Sequence, residues 1–213
     1  MSTAAVILAA GYSHRMGRFK PLLEIGDRTV IERTVSLFRG AGLNDIRVVA
    51  GHARDLLEPL LEELGVRIIV NPGYDKGMFS SVTAALKNLE PDIQALFILP
   101  ADIPLVSSGT IHSLLKQYEE YPDNILIPSF QGRRGHPVLI PAPCFEAIRL
   151  WHGERGLKGA LGQFSDRIVS VPVDDRNILF DLDTPDDYEE AKRRCTANPA
   201  PVKTGSCRST VGL

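Results

Sequence analysis

Residues 4–20 read AAVILAAGYSHRMGRFK, an apolar run followed directly by a loop of small and cationic residues. The run Ala4–Ala9 is uninterrupted, which is typical of a strand buried on both faces of a parallel sheet. Small residues such as Gly11 let a backbone approach a ligand closely, and Arg15 and Lys20 add two cations. Backbone N–H groups and fixed cations beyond a strand suit a polyphosphate, although a basic surface turn has the same composition.

Apolar runs alternate with helical patterns along most of the chain. Three further runs have the composition of buried strands: Ile46–Ala50, Val66–Val70 and Ala95–Leu99. Between them, apolar residues recur at helical spacing, and such stripes indicate packing against a core rather than binding. The alternation predicts an α/β fold of the Rossmann-like type, a doubly wound and mostly parallel sheet with helices on both faces.

The loops that follow the predicted strands carry the unusual residues. In a doubly wound sheet, ligands bind beyond the carboxyl ends of the strands. We therefore expect loops 10–20, 71–76 and 100–106 to meet at one edge. Neither Gly-x-x-x-x-Gly-Lys-Ser/Thr nor a Gly-x-Gly-x-x-Gly that opens a helix is present, so the first loop is neither a Walker loop nor a dinucleotide fingerprint.

Composition restricts the class of protein. The 213 residues are enough for one well-packed domain, and the net charge of −2 gives no reason to expect nucleic-acid binding. No apolar stretch has membrane-spanning length, no secretory signal is recognisable, and three widely spaced cysteines suit a reducing compartment. We expect a cytoplasmic protein with one domain over residues 1–195. Residues 196–213, which are short of large apolar side chains, are predicted to be a disordered tail or a linker.

The segment Leu99-Pro100-Ala101-Asp102-Ile103-Pro104 places one carboxylate at the end of a predicted strand. Flanking prolines stiffen this loop, and a carboxylate held in that way is suited to a divalent metal. The alternative is that Asp102 caps the following helix, but Ser107 and Ser108 are closer candidates for that cap.

A second acidic segment, Asp181-Leu182-Asp183-Thr184-Pro185-Asp186-Asp187, lies near the end of the predicted domain. Thr184, Pro185 and Asp187 together form a pattern typical of a helix start. Asp181 and Asp183 have no such structural explanation, so each is a candidate for metal binding, either as a ligand or as a partner of the ligands.

Two polar segments remain. Asn71-Pro72-Gly73 indicates a turn, and Gly77, Ser80 and Ser81 follow it at the predicted start of a helix. Serines in that position commonly cap the helix, but their hydroxyls can also contact the edge of a nucleobase. Further along, Arg133-Arg134-Gly135-His136-Pro137 combines two guanidinium groups, which favours an anionic ligand, with a lone histidine that is more often structural.

These motifs resemble those of a known family. Residues 8–20 match Leu-Ala-Ala-Gly-x-Ser-x-Arg-Met-Gly-x-x-Lys at every defined position, which is the signature of the MobA-like nucleotidyltransferases. Gly-His-Pro at 135–137 and Asp-x-Asp-Thr-Pro-x-Asp at 181–187 resemble the molybdenum cofactor cytidylyltransferase branch of that family. The resemblance spans roughly residues 4–194. Glu24 departs from it, because relatives commonly have Pro there.

The resemblance implies a magnesium-dependent nucleotidyltransferase domain over residues 1–195. It would transfer CMP from CTP to the terminal phosphate of a molybdopterin-type molybdenum cofactor and release pyrophosphate. The implied nucleotide-binding residues are Leu8, Ala9, Ala10, Gly11, Arg15, Lys20, Asn71, Gly77 and Ser81. The implied catalytic residues are Arg15, Lys20 and Asp102, and the implied Mg²⁺ ligands are Asp102 and Asp183. The implied acceptor-binding residues are Arg134, Gly135, His136 and Pro137.

The resemblance also implies partners, and two alternatives stay open. CTP and the molybdenum cofactor are the expected substrates, and a molybdenum hydroxylase apoenzyme is an expected partner. One alternative is another nucleotidyltransferase, either a GTP-dependent cofactor guanylyltransferase or a cytidylyltransferase acting on a sugar phosphate or alcohol phosphate. The guanylyl branch begins Leu-Ala-Gly-Gly, so Ala10 favours CTP. The other alternative is a non-catalytic chaperone for the cofactor, which would not need Lys20, Asp102 and Asp183 together.

Overall fold

The computed structural model describes residues 2–197, and ten strands form within that range. The strands are β1 (Thr3–Leu8), β2 (Glu24–Ile25), β3 (Arg28–Thr29), β4 (Ile46–Ala50), β5 (Arg67–Val70), β6 (Ala95–Pro100), β7 (Ile125–Phe130), β8 (Arg133–Arg134), β9 (Val138–Pro141) and β10 (Ile168–Pro172). Strands β2 and β3 form a separate antiparallel hairpin that follows the first loop, and the remaining eight strands form one sheet.

The large sheet has the order β10-β7-β9-β6-β1-β4-β5, with the short β8 paired to β7. Strand β1 lies between β4 and β6 and is parallel to both, as expected for a strand buried on both faces. Strand β9 is antiparallel to β6 and β7, and β8 is antiparallel to β7. The predicted α/β fold with a mostly parallel sheet is therefore confirmed.

Seven α-helices form in the same part of the chain. They are α1 (Val30–Gly40), α2 (Arg54–Glu63), α3 (Met78–Lys87), α4 (Ser108–Glu120), α5 (Phe145–Arg149), α6 (Gly156–Gly162) and α7 (Pro185–Ala197). The Ser107 side chain caps α4, which leaves Asp102 free of that role. The start of α7 has the predicted reciprocal pattern: the Asp187 carboxylate accepts from the Thr184 N–H, and the Thr184 hydroxyl accepts from the Asp187 N–H.

Apolar residues of the central strands pack against helices on both faces of the sheet. Along β1, Ala5 and Ile7 belong to the cluster formed with α1, α2 and α4. Ala4 and Val6, which point the other way, belong to the cluster formed with α3, α5 and α6. The helices on both faces hold the carboxyl ends of the parallel strands, and the loops that follow them, at one edge.

A third, smaller cluster joins the last helix to the beginning of the chain. Leu182 and Ala191 pack with Met16, Leu23 and Ile25, so α7 covers the hairpin that follows the first loop. Helix α7 ends at Ala197, and the rest of the predicted tail lies outside the described residues. None of the helices within residues 2–197 has the length and apolar character needed to cross a membrane.

Candidate active site

A cleft of about 250 Å³ opens at the carboxyl ends of β1 and β6. Its walls come from the end of β1 and the first loop, from the loop after β5 with the start of α3, and from the end of β6. The three loops expected to meet at one edge therefore do so. The predicted residues that line the cleft are Leu8, Ala9, Ala10, Gly11, Lys20, Gly77, Ser81 and Asp102.

The first loop folds back on itself beside β1. The Lys20 N–H donates to the Ser13 hydroxyl at 3.1 Å, which closes the loop around the cations. The neighbouring loop lies so close that a Cβ on Gly51 would be 2.9 Å from the Cβ of Ala10 and 2.6 Å from that of Tyr74. Only glycine fits there, so Gly51 lets the two walls of the cleft approach each other.

Four predicted residues from three loops form one ionic cluster. The Lys20 Nζ lies 2.7 Å from Asp183 Oδ1 and 3.6 Å from Asp102 Oδ2. An Arg15 Nη2 lies 2.7 Å from Asp183 Oδ2. The Lys20 side chain is 12% exposed and that of Arg15 71% exposed, so Lys20 is fixed inside the cluster while Arg15 extends into solvent. The Leu182 N–H donates to the Asp102 carbonyl at 2.8 Å, which holds the two acidic loops together.

The carboxylates of the cluster are buried close to one another, and the nearby cations only partly compensate their negative charge. Burial raises the pKa of Asp102 above its ordinary value, the Lys20 charge partly offsets this, and Asp181 and Asp183 raise it further. Burial and the neighbouring Asp183 likewise raise the pKa of Asp181. A raised carboxyl pKa means that burial and neighbouring negative charges destabilise the ionised form of the carboxyl group. An added cation would therefore stabilise this group of side chains.

The donor set fits Mg²⁺ bound together with phosphates. Within residues 2–197, no three histidine, cysteine or acidic side chains are grouped as a complete metal site. Asp102 and Asp183 nevertheless contact the same ammonium group, so their oxygens already converge on one cation. Mg²⁺ in nucleotide sites usually takes one or two carboxylates and completes its shell with phosphate oxygens and water. Two converging carboxylates are therefore sufficient.

Asn71 has its side chain inside the loop rather than on the cleft. It is 4% exposed, and its Nδ2 donates to the hydroxyls of Ser80 at 2.8 Å and Ser81 at 3.0 Å. Its Oδ1 accepts from the Gly73 N–H at 3.0 Å. Asn71 thus holds the turn against the start of α3. Gly77 and Ser81, which this arrangement positions, line the cleft itself.

The Gly135-His136-Pro137 segment lies beyond the cleft lining. The Gly135 N–H donates to the Pro128 carbonyl, and the His136 N–H donates to the Ile178 carbonyl. A Cβ on Gly135 would be 2.3 Å from that carbonyl oxygen, so the sequence requires glycine there. The His136 Nδ1 is buried without a hydrogen-bond partner in the described chain. Burial lowers the pKa of His136, although the negative charge of Asp102 acts in the opposite direction and raises it. Pro137 is buried, whereas Arg134 is exposed.

Three aromatic side chains beside the cleft were not assigned a role from the sequence. The Tyr12 ring lies 4.7 Å from the His52 ring and 5.4 Å from the Tyr74 ring, centroid to centroid. Tyr12 and Tyr74 line the cleft. These residues belong to three different loops, so no periodicity joins them in the sequence. Only the expectation that the loops meet at one edge could have indicated the group.

Comparison with known proteins identifies the family. The sequence profile of the MobA-like NTP transferase domain matches residues 5–168. This chain belongs to the MobA-like NTP transferase family. It is therefore a nucleotidyltransferase, and membership implies a nucleoside triphosphate as substrate.

Two relatives match this MobA-like chain over nearly their whole length. It is 29% identical over 191 residues to the molybdenum cofactor cytidylyltransferase of Escherichia coli strain K12, covering 90% of this chain and 96% of the relative. It is 28% identical over 204 residues to the molybdenum cofactor guanylyltransferase of Rhodopseudomonas palustris strain BisB5, covering 90% and 93%. The family resemblance inferred from the motifs is thereby confirmed.

Solved structures share the fold of the MobA-like chain. The crystal structure of Rv0371c from Mycobacterium tuberculosis H37Rv superposes with a TM-score of 0.80 at 24% identity, covering 90% of this chain and 97% of the other. The same protein solved in complex with manganese gives a TM-score of 0.75 at 23% identity, covering 90% and 98%. At this identity the likeness establishes the fold.

Proposed function

We propose that this protein is a magnesium-dependent cytidylyltransferase that transfers CMP from CTP to the terminal phosphate of a molybdopterin-type molybdenum cofactor. Pyrophosphate is the other product. The observation that carries the proposal is the cluster in which Lys20 contacts both Asp102 and Asp183 at the mouth of the cleft. The similarity to a molybdenum cofactor cytidylyltransferase supports the choice of acceptor, and a molybdenum hydroxylase apoenzyme is the proposed recipient of the product.

The reaction needs no strong general base on the protein. A phosphate monoester has a second pKa of about 6, so near neutral pH the acceptor phosphate is already largely dianionic. One of its oxygens attacks the α-phosphorus of CTP, a bond forms there, and the bond to the pyrophosphate oxygen breaks. Catalysis then depends on positioning and on charge stabilisation, which are the contributions available from a cleft lined by cations.

Lys20 and Arg15 are the proposed phosphate ligands. Lys20 is held by two carboxylates, so its ammonium needs only a small displacement to contact an α-phosphoryl oxygen beside them. Arg15 is largely exposed and paired with a single carboxylate, and it can move to the distal phosphates. The N–H groups of Ala10 and Gly11 are proposed as further donors beyond the end of β1.

Asp102 and Asp183 are the proposed ligands of Mg²⁺. When bound, Mg²⁺ neutralises charge on the phosphate oxygens and orients them. The raised pKa of Asp102 supports this role, because a buried carboxylate surrounded by others gains most from an added cation. Asp181 lies close enough to Asp183 for the two negative charges to interact, and it adds to the negative potential of the site.

Arg134 and the backbone of Gly135–Pro137 are proposed to bind the acceptor. The Arg134 guanidinium is exposed, and its fork of N–H donors matches a phosphate. The segment is fixed by the backbone bonds of Gly135 and His136, so Arg134 projects from a rigid support.

Nucleotide choice is the decisive test. Ala10 lines the cleft at the position where the guanylyl branch has Gly, and we propose that this difference in the loop disfavours a purine. We expect kcat/KM for CTP to exceed that for GTP by roughly 10- to 200-fold, as for other small steric differences in a pocket. The measurement is coupled pyrophosphate release with four triphosphates and purified molybdenum cofactor. Ala10→Gly should reduce the preference, with Gly77 and Ser81 still reading the base.

Guanylyl transfer is the second candidate, because the similarity to a molybdenum cofactor guanylyltransferase is of nearly the same extent. A preference for GTP in the assay above would establish it and overturn the cytidylyl assignment. Absence of pyrophosphate release with every triphosphate, combined with retained cofactor binding, would instead identify a carrier of the cofactor.

A further inference from the structure

A second cavity, of about 240 Å³, shares no lining residue with the nucleotide cleft. Its cationic side chains, Arg133, Arg176 and Arg194, come from β8, from the turn that precedes Phe180, and from α7. Phe130 and Phe180 form part of its apolar wall. We refer to this cavity, defined by the three arginines and two phenylalanines, as the arginine pocket.

Arg194 is held in a fixed orientation in the arginine pocket. Its guanidinium carbon lies 4.1 Å from the centroid of the Phe180 ring. Its Nε donates to Glu190 at 2.8 Å, and its Nη1 donates to the Asn177 side chain at 3.3 Å. The Nη2 group has no hydrogen-bond partner within residues 2–197. A guanidinium that is stacked and bonded on one side loses little freedom when it binds an anion on the other.

The arginine pocket has excess positive charge. Arg133 and Arg176 make no ion pair or side-chain hydrogen bond with any residue in the described range 2–197. The Glu190 carboxylate is already shared between Arg193 and Arg194. Three guanidinium groups that face one cavity repel each other, and a bound anion would convert that repulsion into attraction.

The two adjacent arginines of β8 serve different surfaces. Successive side chains of a strand point to opposite faces, and Arg133 lines the pocket while Arg134 does not. The proposed acceptor contact at Arg134 therefore does not account for Arg133. The arginine pocket needs an explanation of its own.

We propose that the arginine pocket binds the phosphate group of a small phosphorylated molecule whose organic part packs against Phe130. Phosphate is favoured over a carboxylate because its dianion can accept from several guanidinium groups at once. The apolar wall beside the cations suits a monoester better than the free ion. This binding site is separate from the proposed nucleotide-transfer chemistry and does not depend on it.

Isothermal titration of the full chain with inorganic phosphate and with phenyl phosphate, in the absence of nucleotide, tests the proposal. The variants are Arg133→Gln/Arg176→Gln, its charge-retaining counterpart Arg133→Lys/Arg176→Lys, and Lys20→Met, which reports anions bound in the nucleotide cleft. Arg67→Gln is the matched control, since Arg67 is also exposed but lies on the strand at the opposite edge of the sheet.

We expect phenyl phosphate to bind about 2- to 10-fold more tightly than phosphate through its ring contact. The double glutamine variant should weaken both by about 10-fold or more, and the lysine variant by less, because charge is retained but the paired donors are lost. Arg67→Gln should leave both affinities unchanged, and Lys20→Met should not remove the binding that the double glutamine variant weakens.

Three results would overturn the proposal. One is binding that disappears in Lys20→Met and survives in the double glutamine variant. Another is an affinity that Arg67→Gln changes as much as the double variant does. The third is no binding up to about 10 mM of either probe, a concentration well above a millimolar Kd. Equal affinity for the two probes would limit the site to free phosphate and refute the contact with Phe130. None of these outcomes depends on nucleotide transfer.

Discussion

The Lys20 Nζ lies 2.7 Å from Asp183 Oδ1, across 163 positions of the chain. The same ammonium is 3.6 Å from Asp102. One lysine of the first loop thus links the two acidic segments that follow β6 and precede α7. In this arrangement the Lys20 ammonium lies between two carboxylates. A divalent cation could bind to the same two carboxylates once phosphates are present.

Lys20→Ala should lower the turnover number for pyrophosphate release by about 100-fold or more, as expected when a donor to the transition state is removed. The measurement is the initial rate at saturating CTP, magnesium and acceptor. Lys116→Ala, which removes an exposed lysine from α4, is the matched control and should leave the rate unchanged. Near-normal turnover in Lys20→Ala would remove this residue from the catalytic group.

Asp102→Asn preserves the shape of the side chain and removes its charge, so the apparent magnesium affinity and the rate should fall together. Titration of the rate with magnesium, for both proteins, gives the two quantities. Asp92→Asn, at an exposed site before β6, controls for loss of one negative charge. An unchanged magnesium dependence would show that Asp102 has a structural role in its loop and does not bind the metal.

Much of the fold follows from the sequence, because its central strands are long apolar runs with helical stripes between them. The two-residue strands escaped prediction because they carry no periodicity, and β7 and β10 were not among the predicted strands either. The reversed direction of β9 also escaped it. Phe130, at the end of β7, and Val138, at the start of β9, are joined by a short connection, which suits antiparallel strands, whereas parallel neighbours need a long crossover.

Asn71→Ala should lower the free energy of unfolding by roughly 3 kcal/mol, because three hydrogen bonds of about 1 kcal/mol each are lost in a buried site. Urea denaturation of both proteins gives this value. The KM for the nucleotide should also rise, since Ser81 loses its support. Asn44→Ala, in an exposed turn before β4, is the control. Unchanged stability would mean that the serines hold this loop without Asn71.

Gly135→Ala should destabilise the protein by about 1–3 kcal/mol, because the new methyl group would displace the Ile178 carbonyl. Gly109→Ala is a useful contrast. In α4 the nearest atom to an added Cβ is 3.6 Å away, so that change should be neutral or stabilise by up to about 1 kcal/mol. Thermal denaturation of both variants tests the difference. Equal melting temperatures for the two variants would show that the segment before β9 can accommodate the methyl group without loss of stability.

Glu90 should give a pH-dependent contribution to stability. A hydrogen bond from Arg47, aided by a backbone hydrogen bond, lowers the pKa of Glu90 from 4.5 to about 2. Because folding depresses this pKa, the stabilisation is complete above pH 4.5 and is lost as the pH falls towards 2. The Tm of Glu90→Gln should therefore lie below that of the wild type at pH 7, and the gap should narrow in acid. Glu119→Gln should show no gap, and a constant gap for Glu90→Gln would refute the assignment.

The candidate site was less predictable than the fold. Because loops at the ends of parallel strands meet at one edge of the sheet, the sequence predicted that Lys20 and Asp102 lie near each other. The similarity of the motifs to those of the family added Asp183. The side-chain direction of Asn71 could not be read in this way, since an amide in a turn can face a ligand or its own loop. The grouping of Tyr12 with His52 and Tyr74 depends on how three loops pack, which no local pattern records.

The contact between the first loop and the last helix has a consequence for biosynthesis. As the chain leaves the ribosome, Arg15 and Lys20 emerge early, but their carboxylate partner Asp183 and the apolar cover from Ala191 follow only after the whole sheet has been made. The nascent chain therefore contains every strand of the sheet before the ionic pairing of its first loop is possible. A translation product interrupted before residue 181 would leave Lys20 without its Asp183 partner, and Met16 and Ile25 without the apolar cover of Leu182 and Ala191.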